Sequence, residues 1–401
     1  MDISRKKKVV FIVITVLLSL VIIEVSLRVV IFFVTSHREM TMKEAVRQAA
    51  QYNPFTNINI YGDQINAAKQ FFDDLINLRL AYRPYVERRR IPNQQLSNIH
   101  INKWGYRGPD FTFDKGEEVF RIIVFGGSFV WGTGAIYDEE TIAGHLQKML
   151  NEKYKEKKFE VINGGETGYV LTQERILFVE EGIFFRPDLV IFIDGINDLY
   201  ALYRNLPAGF PTHFQEYNKR LSNDYKEPVG ETLKGQMTFL SNQTNVNLKN
   251  LHRLAMIDTL KSFIGYQTRD GILSWQMSSR HLHNALIIRS ICEARNIDFV
   301  FGLQPSLYLS KTLSTEEKGI VQRSKKRYPG LYGFVRAVYP KYRDIVAKGM
   351  LETGMHFVDF SNLFAEDFNT RYIDHFHLTG KGYRIVAEKL LEFLKEENML
   401  Y

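Results

Sequence analysis

Apolar and polar positions follow two rhythms along this chain, and together they predict an α/β fold. Short runs of mostly apolar, β-forming residues recur at Arg121 to Phe125, Phe159 to Ile162, Leu189 to Ile193, Phe299 to Leu303 and His356 to Phe360. Their continuous apolarity marks buried strands. Between them ETIAGHLQKMLNEKY, LTQERILFVEEGI and SRHLHNALIIRSICEARN carry apolar residues at helical spacing. After the last run, KGYRIVAEKLLEFLKEEN places Tyr383, Val386, Leu390 and Leu394 on one face. Strands alternating with amphipathic helices predict a three-layer α/β/α sandwich around a mostly parallel sheet of five strands.

The first 40 residues have a different pattern. Val9 to Ile23 is apolar apart from Thr15 and Ser19, and after Glu24 and Arg28 apolarity resumes as far as Val34. A helix over this stretch is long enough to cross a hydrocarbon core of roughly 30 Å. Glu24 and Arg28 stand at i and i+4, where they can pair on one face. Residues 1–40 are therefore expected to be a transmembrane anchor. Basic residues at positions 5 to 8 favour a cytoplasmic N-terminus and an exported body, periplasmic or extracellular, although Arg38, Lys43 and Arg47 reduce the asymmetry. A cleaved signal peptide is the competing reading. It is disfavoured because no small-x-small site follows and because the apolar run is longer than a signal-peptide core.

Residues 41–100 show helical spacing in KEAVRQAAQY and NAAKQFFDDLINLRLAY, interrupted at Asn53-Pro54 and at Tyr61-Gly62-Asp63. They are expected to form a helical stem, with Pro84 and ERRRIPNQQ marking a linker. Residues 101–401 would then be the main domain, interrupted at 199–279 by a stretch too long for an ordinary connection in such a sheet. That stretch reads either as an inserted lid or substrate-side subdomain, or as surface decoration.

Composition narrows the function. The formal net charge of +7 is spread over short basic runs at Arg5 to Lys8, Arg88 to Arg90 and Lys325 to Arg327, which argues against a nucleic-acid partner. The single cysteine, Cys292, excludes an intramolecular disulfide and reads as a small core residue.

The chemistry centres on RIIVFGGSFVWGTG, where a strand runs into Gly126-Gly127 and then Ser128. Neither a P-loop nor a dinucleotide fingerprint is present, because the lysine of the one and the glycine spacing of the other are missing. A helix-capping serine is the plain alternative. In a parallel sheet, however, all carboxyl ends lie along one edge, and four polar turns follow strand ends here. They present Ser128, Gly168 in NGGETGY, Asn197 in DGIND, and Asp374 with His377 in YIDHFHLTGKG. A serine hydroxyl becomes a nucleophile when an imidazole takes its proton and a carboxylate holds the other ring nitrogen. Ser128, His377 and Asp374 supply those groups, while the Ser128 and Gly168 N–H groups and the Asn197 amide can hold an oxyanion. Asp198 reads as a structural cap, His375 as a bystander, and Trp131 and Tyr169 as pocket walls or core. His375-x-His377 and His281-x-His283 lack an evident carboxylate or cysteine set, so no metal is expected. The chemistry requires no cofactor.

With these four blocks the chain resembles the SGNH (GDSL-like) hydrolases. GGSFVWG resembles their first block, VINGGETGY the second, GIND the third and DHFH the last, over about Asn102 to Asn398. The resemblance implies a flavodoxin-like sandwich. Where the family's first block has Asp before the serine, Gly127 stands here. Membrane-anchored relatives, as the resemblance implies, remove or transfer acyl groups on extracytoplasmic glycans. The expectation is a serine esterase or deacylase acting on acyl esters, O-acetyl above all, of a glycan or lipid. An O-acyltransferase working with partner proteins of polysaccharide acylation, and a non-catalytic binding component of such an assembly, are the alternatives.

Overall fold

The structure, a computed structural model, describes residues 58–212 and 269–400, together with Thr15, Ser19 and Ser26, which are helical. The anchor expected over 1–40 and the middle of the expected insertion otherwise lie outside the described residues. Among those described, no helix is long and apolar enough to cross a membrane. Asn57–Tyr401 form one compact unit, distinct from Met1–Thr56.

A 3-10 segment (Ile58–Gln64) leads into helix α1 (Ile65–Asn77), which buries Ala68 and Phe71 as the helical spacing of the stem predicts. The segment predicted as a linker is ordered instead. Strands β1 (Leu80–Arg83) and β2 (Glu87–Arg90) form an antiparallel hairpin, and β3 (Gln94–Gln95) pairs with β4 (His100–Ile101). ERRR looks solvated by composition, yet Arg89 and Arg90 are buried because Glu166 and Glu181 meet them from across the fold.

The main sheet has five strands: β5 (Val119–Gly126), β6 (Lys158–Gly165), β7 (Leu189–Asp194), β8 (Asp298–Leu303) and β9 (His356–Asp359). Each coincides with a predicted run, and every neighbouring pair is parallel. The order β6-β5-β7-β8-β9 is, counted within this sheet, 2-1-3-4-5, the doubly wound order with a switch point beside β5. β5 and β6 run further than predicted, into their glycines. The reason for Gly165 is close approach: a Cβ there would lie 2.2 Å from the Trp131 nitrogen. β7 is buried along its whole length, and the Phe125 and Phe192 rings stack at 4.9 Å across the centre.

Helices follow the strands: α2 (Ser128–Trp131), α3 (Ile142–Lys153), α4 (Leu171–Glu180), α5 (Ile196–Tyr203), α6 (Arg269–Glu293), α7 (Thr315–Arg327), α8 (Leu331–Glu352) and α9 (Gly380–Glu396). α3 packs with α9 and on β6, whereas α6 packs with α8 and reaches α4 and β8. Tyr383, Val386, Leu390 and Leu394 of α9 are all buried, as their spacing requires, and so is Cys292. The range expected as an insertion, 199–279, begins and ends inside described helices. Leu199, Ala201 and Leu202 of α5 and Met277 of α6 are buried core residues, so both ends of that range belong to the sandwich. α7 and α8 were not anticipated, although the Ser314-x-x-Glu317 capping box at the start of α7 is a signature visible in the sequence.

Candidate active site

At the carboxyl end of β5, Gly127 turns the chain into α2, whose first residue is Ser128. The turn is closed by the Trp131 N–H on the Gly127 carbonyl at 3.0 Å and ends at Gly132, in the left-handed region at φ 88°. Buried Arg107 then donates to the carbonyls of Gly132 and Ala135 at 2.9 and 3.0 Å, which holds the following loop in place.

The imidazole arrives from the loop after β9. That loop is pinched by the antiparallel bridge between Tyr372 and Leu378, and the Ile373 N–H donates to the His377 carbonyl at 3.0 Å. Within it Asp374 Oδ1 accepts the Phe376 and His377 N–H groups at 2.7 and 2.8 Å, and Oδ2 lies 2.7 Å from His377 Nδ1. His377 Nε2 lies 2.6 Å from Ser128 Oγ. Three residues predicted from turns up to 249 positions apart thus form one hydrogen-bonded chain.

Electrostatics assign the protons. Burial opposes ionisation of Asp374, but the His377 charge and hydrogen bond, the His375 ring and the Phe376 N–H outweigh it, and its carboxyl is held down at about 2. An ionised Asp374 accepts only, so Nδ1 of a neutral His377 carries the proton and Nε2 is left to accept from the serine hydroxyl.

The residues expected to hold an oxyanion also stand on the other two turns. Asn197 Nδ2 donates to the Tyr169 carbonyl at 2.7 Å, which leaves the second N–H of the amide. Gly168, at φ 75°, immediately precedes Tyr169. Among the described residues the Ser128 and Gly168 N–H groups have no hydrogen-bonding partner. Asn197 lies against the backbone that carries Ser128: a Cβ on Gly127 would be 2.3 Å from its Nδ2. Asn197 therefore leaves no room for a side chain at position 127.

Several supporting residues escaped sequence reasoning. The end of β8 carries Gln304, whose side chain donates to the Phe376 carbonyl at 3.2 Å, and Ser306, whose hydroxyl donates to the His375 carbonyl at 3.2 Å. Together they brace the loop of the imidazole. LQPS follows a predicted strand just as the four assigned blocks do, and that position was the available signal. On the other side, Arg88 donates to the Thr167 carbonyl at 2.7 Å, and Arg90 Nε lies 3.1 Å from Glu166 Oε1. Tyr169 returns its hydroxyl to the Arg88 carbonyl. The turn that presents Gly168 is thus clamped by β2.

Some roles need correction. Trp131 and Tyr169 are wholly buried and do not wall a pocket; guanidiniums of Arg90 and Arg107 lie over the Trp131 ring. His375 stays out of the triad, stacked on Tyr308, and burial pushes its imidazole down to about 4. Asp198 takes the Leu171 N–H at 3.2 Å, which is a capping role, but it also lies beside His281. His281 therefore has carboxylate company that its sequence neighbourhood did not reveal: Asp194 and Asp198.

No family model and no curated protein matches the chain. Among solved structures it is similar to an acetyl xylan esterase, AlAXEase, at 13% identity and a TM-score of 0.38, covering 68% of this chain and 98% of that one. An acetylxylan esterase from Geobacillus stearothermophilus is similar at 14% identity and a TM-score of 0.39, covering 69% and 94%. A putative lipolytic protein of the G-D-S-L family from Desulfitobacterium hafniense is similar at 11% identity and a TM-score of 0.38, covering 68% and 99%.

Proposed function

We propose that this protein is an SGNH-type serine ester hydrolase that works through an acyl-enzyme. The observation that carries the reading is the continuous chain from Ser128 Oγ to His377 Nε2 at 2.6 Å and from His377 Nδ1 to Asp374 at 2.7 Å. Ser128 Oγ attacks the acyl carbonyl while its proton passes to His377 Nε2, and Asp374 stabilises the imidazolium that forms. The oxyanion meets the Ser128 and Gly168 N–H groups and the Asn197 amide, and one such donor contributes about 2.7–4 kcal/mol to the barrier reduction. His377 returns the proton to the departing alcohol. It then takes one from water, whose attack on acyl-Ser128 releases the acid.

The substrate we favour is an acyl ester, O-acetyl above all, on an extracytoplasmic glycan or lipid. Support for the location is the apolar segment from Val9 to Val34 behind a basic N-terminus. A sugar hydroxyl replacing water in the second step would make the same site a transferase.

Hydrolysis of short and long chromogenic acyl esters, together with fluorophosphonate labelling, tests the reading in wild type, Ser128→Ala and His377→Ala. Turnover and labelling are expected in the wild type and lost in Ser128→Ala. Undiminished labelling of Ser128→Ala would sink the assignment of the nucleophile.

A further inference from the structure

Next to the oxyanion donors in the chain lies a second cluster that ester chemistry does not use. Asp194 ends β7, Asp198 stands in the first turn of α5, Glu174 in the first turn of α4, and His281 in α6. All four are buried, Asp194 at 1% exposure and the others at 0%. Ligand atoms of Asp194, Asp198 and His281 lie within 4.8 Å of one another. Both oxygens of Asp194, both of Glu174, Asp198 Oδ1 and His281 Nε2 have no hydrogen-bonding partner among the described residues. His281 Nε2 and Asp198 Oδ2 are 3.2 Å apart, within ion-pair distance. No Lys or Arg among the described residues pairs with any of the three carboxyls. Unpaired carboxylates in a protein interior are strongly disfavoured unless something neutralises them.

We propose that Asp194, Asp198 and His281 bind one divalent transition-metal cation, Zn²⁺ or Mn²⁺, with Glu174 as the carboxylate beside it. Two carboxylates supply the charge, and the imidazole selects against Ca²⁺ and Mg²⁺, which take oxygen ligands. The second ring nitrogen of His281, Nδ1, is hydrogen-bonded to the Tyr342 hydroxyl, the outer contact that aims a ligating imidazole. The site is a staple, and no step of the ester reaction passes through it. Asn197 lies between Asp194 and Asp198 in the chain, and Asp198 also holds the Leu171 N–H at the end of the turn that begins at Gly168. A cation there fastens β7, α5 and α6 where the oxyanion donors emerge.

The test uses the full chain. Metal content is measured by elemental analysis after purification without added metal, and chelator-treated protein is titrated with ZnCl₂, MnCl₂, CaCl₂ and MgCl₂ while thermal unfolding is followed. About one equivalent of Zn²⁺ or Mn²⁺ is expected, with a Tm that climbs with the concentration of that ion and not with Ca²⁺ or Mg²⁺. Asp194→Asn should abolish the effect, and Tyr342→Phe should weaken affinity roughly 10- to 100-fold. A Tm unmoved by Zn²⁺ and Mn²⁺, or binding that survives Asp194→Asn, overturns the site. If Asp194→Asn fails to fold, the wild-type titration and Tyr342→Phe decide. None of these readouts uses ester turnover, so they stand apart from the proposed enzymatic activity.

Discussion

Asn197 donates its side-chain amide to the main-chain carbonyl of Tyr169 at 2.7 Å, joining the turn after β7 to the turn after β6. This bond fixes the amide in the one place where it also faces the backbone of Gly127, and so the nucleophile turn. The two blocks proposed to supply oxyanion donors are therefore mechanically one unit, built across the β5 switch point of the sheet.

Gly127→Ala should disable that unit while leaving the triad present. The new Cβ would lie 2.3 Å from Asn197 Nδ2 and 3.1 Å from the Tyr169 carbonyl, so the amide must move. Loss of one oxyanion donor predicts a fall in kcat of about 10²–10³ with little change in KM. Steady-state kinetics on a folded variant check this, and a wild-type kcat would remove Asn197 from the oxyanion hole.

Asp374→Asn should keep the loop but reverse the imidazole. An amide can present an N–H to Nδ1, which leaves the proton on Nε2, where it cannot accept from Ser128. The expected fall in kcat is about 10⁴, by the same argument that applies to other serine triads. A loss under tenfold, measured on the same esters, would mean that Asp374 does not set the tautomer.

Stability should fall in acid in two stages. His375 is held neutral by burial, its imidazole at about 4 against an ordinary 6.5. From pH 6.5 down to 4 the unfolded chain takes up a proton that the folded chain refuses, so stability decreases as pH falls through that window. Asp374, at about 2 against an ordinary 3.8, contributes stability above pH 3.8 that is lost as pH falls further towards 2. Urea midpoints at pH 7, 6 and 5 should drop more steeply for wild type than for His375→Gln. Equal slopes would contradict a buried neutral His375.

Glu166→Ala should destabilise the fold and weaken catalysis together. Glu166 receives Arg90 Nε at 3.1 Å and the Thr167 N–H at 2.9 Å, and its side chain is wholly buried. Removing one partner strands a buried guanidinium, at a cost of about 3–5 kcal/mol. The Gly168 turn should loosen with it. Denaturant titration measures the loss, and a change below about 1 kcal/mol would show that the β2 clamp does not hold the turn.

The sequence by itself determined the sheet and the order in which the candidate site residues follow its strands. Five continuous apolar runs were enough to place the strands, because full burial in a parallel sheet demands apolarity on both faces. Ser128, Gly168, Asn197 and the Asp374–His377 pair were legible for the same reason: each stands directly after, or on a loop following, such a run. What tertiary structure alone decided is the environment of polar and aromatic residues. ERRR has the composition of a solvated linker, and only the approach of Glu166, 76 positions away from Arg90, makes its burial tolerable. Trp131 and Tyr169 are core residues because of the faces they occupy, which composition does not reveal. Glu174, Asp194, Asp198 and His281 look like unrelated helix and cap positions along the chain. Asp194, Asp198 and His281 become one buried cluster, with Glu174 close enough to feel both aspartates, only where α4, α5 and α6 meet at the end of β7, since the energy of a charge depends on its neighbours in space and not in sequence.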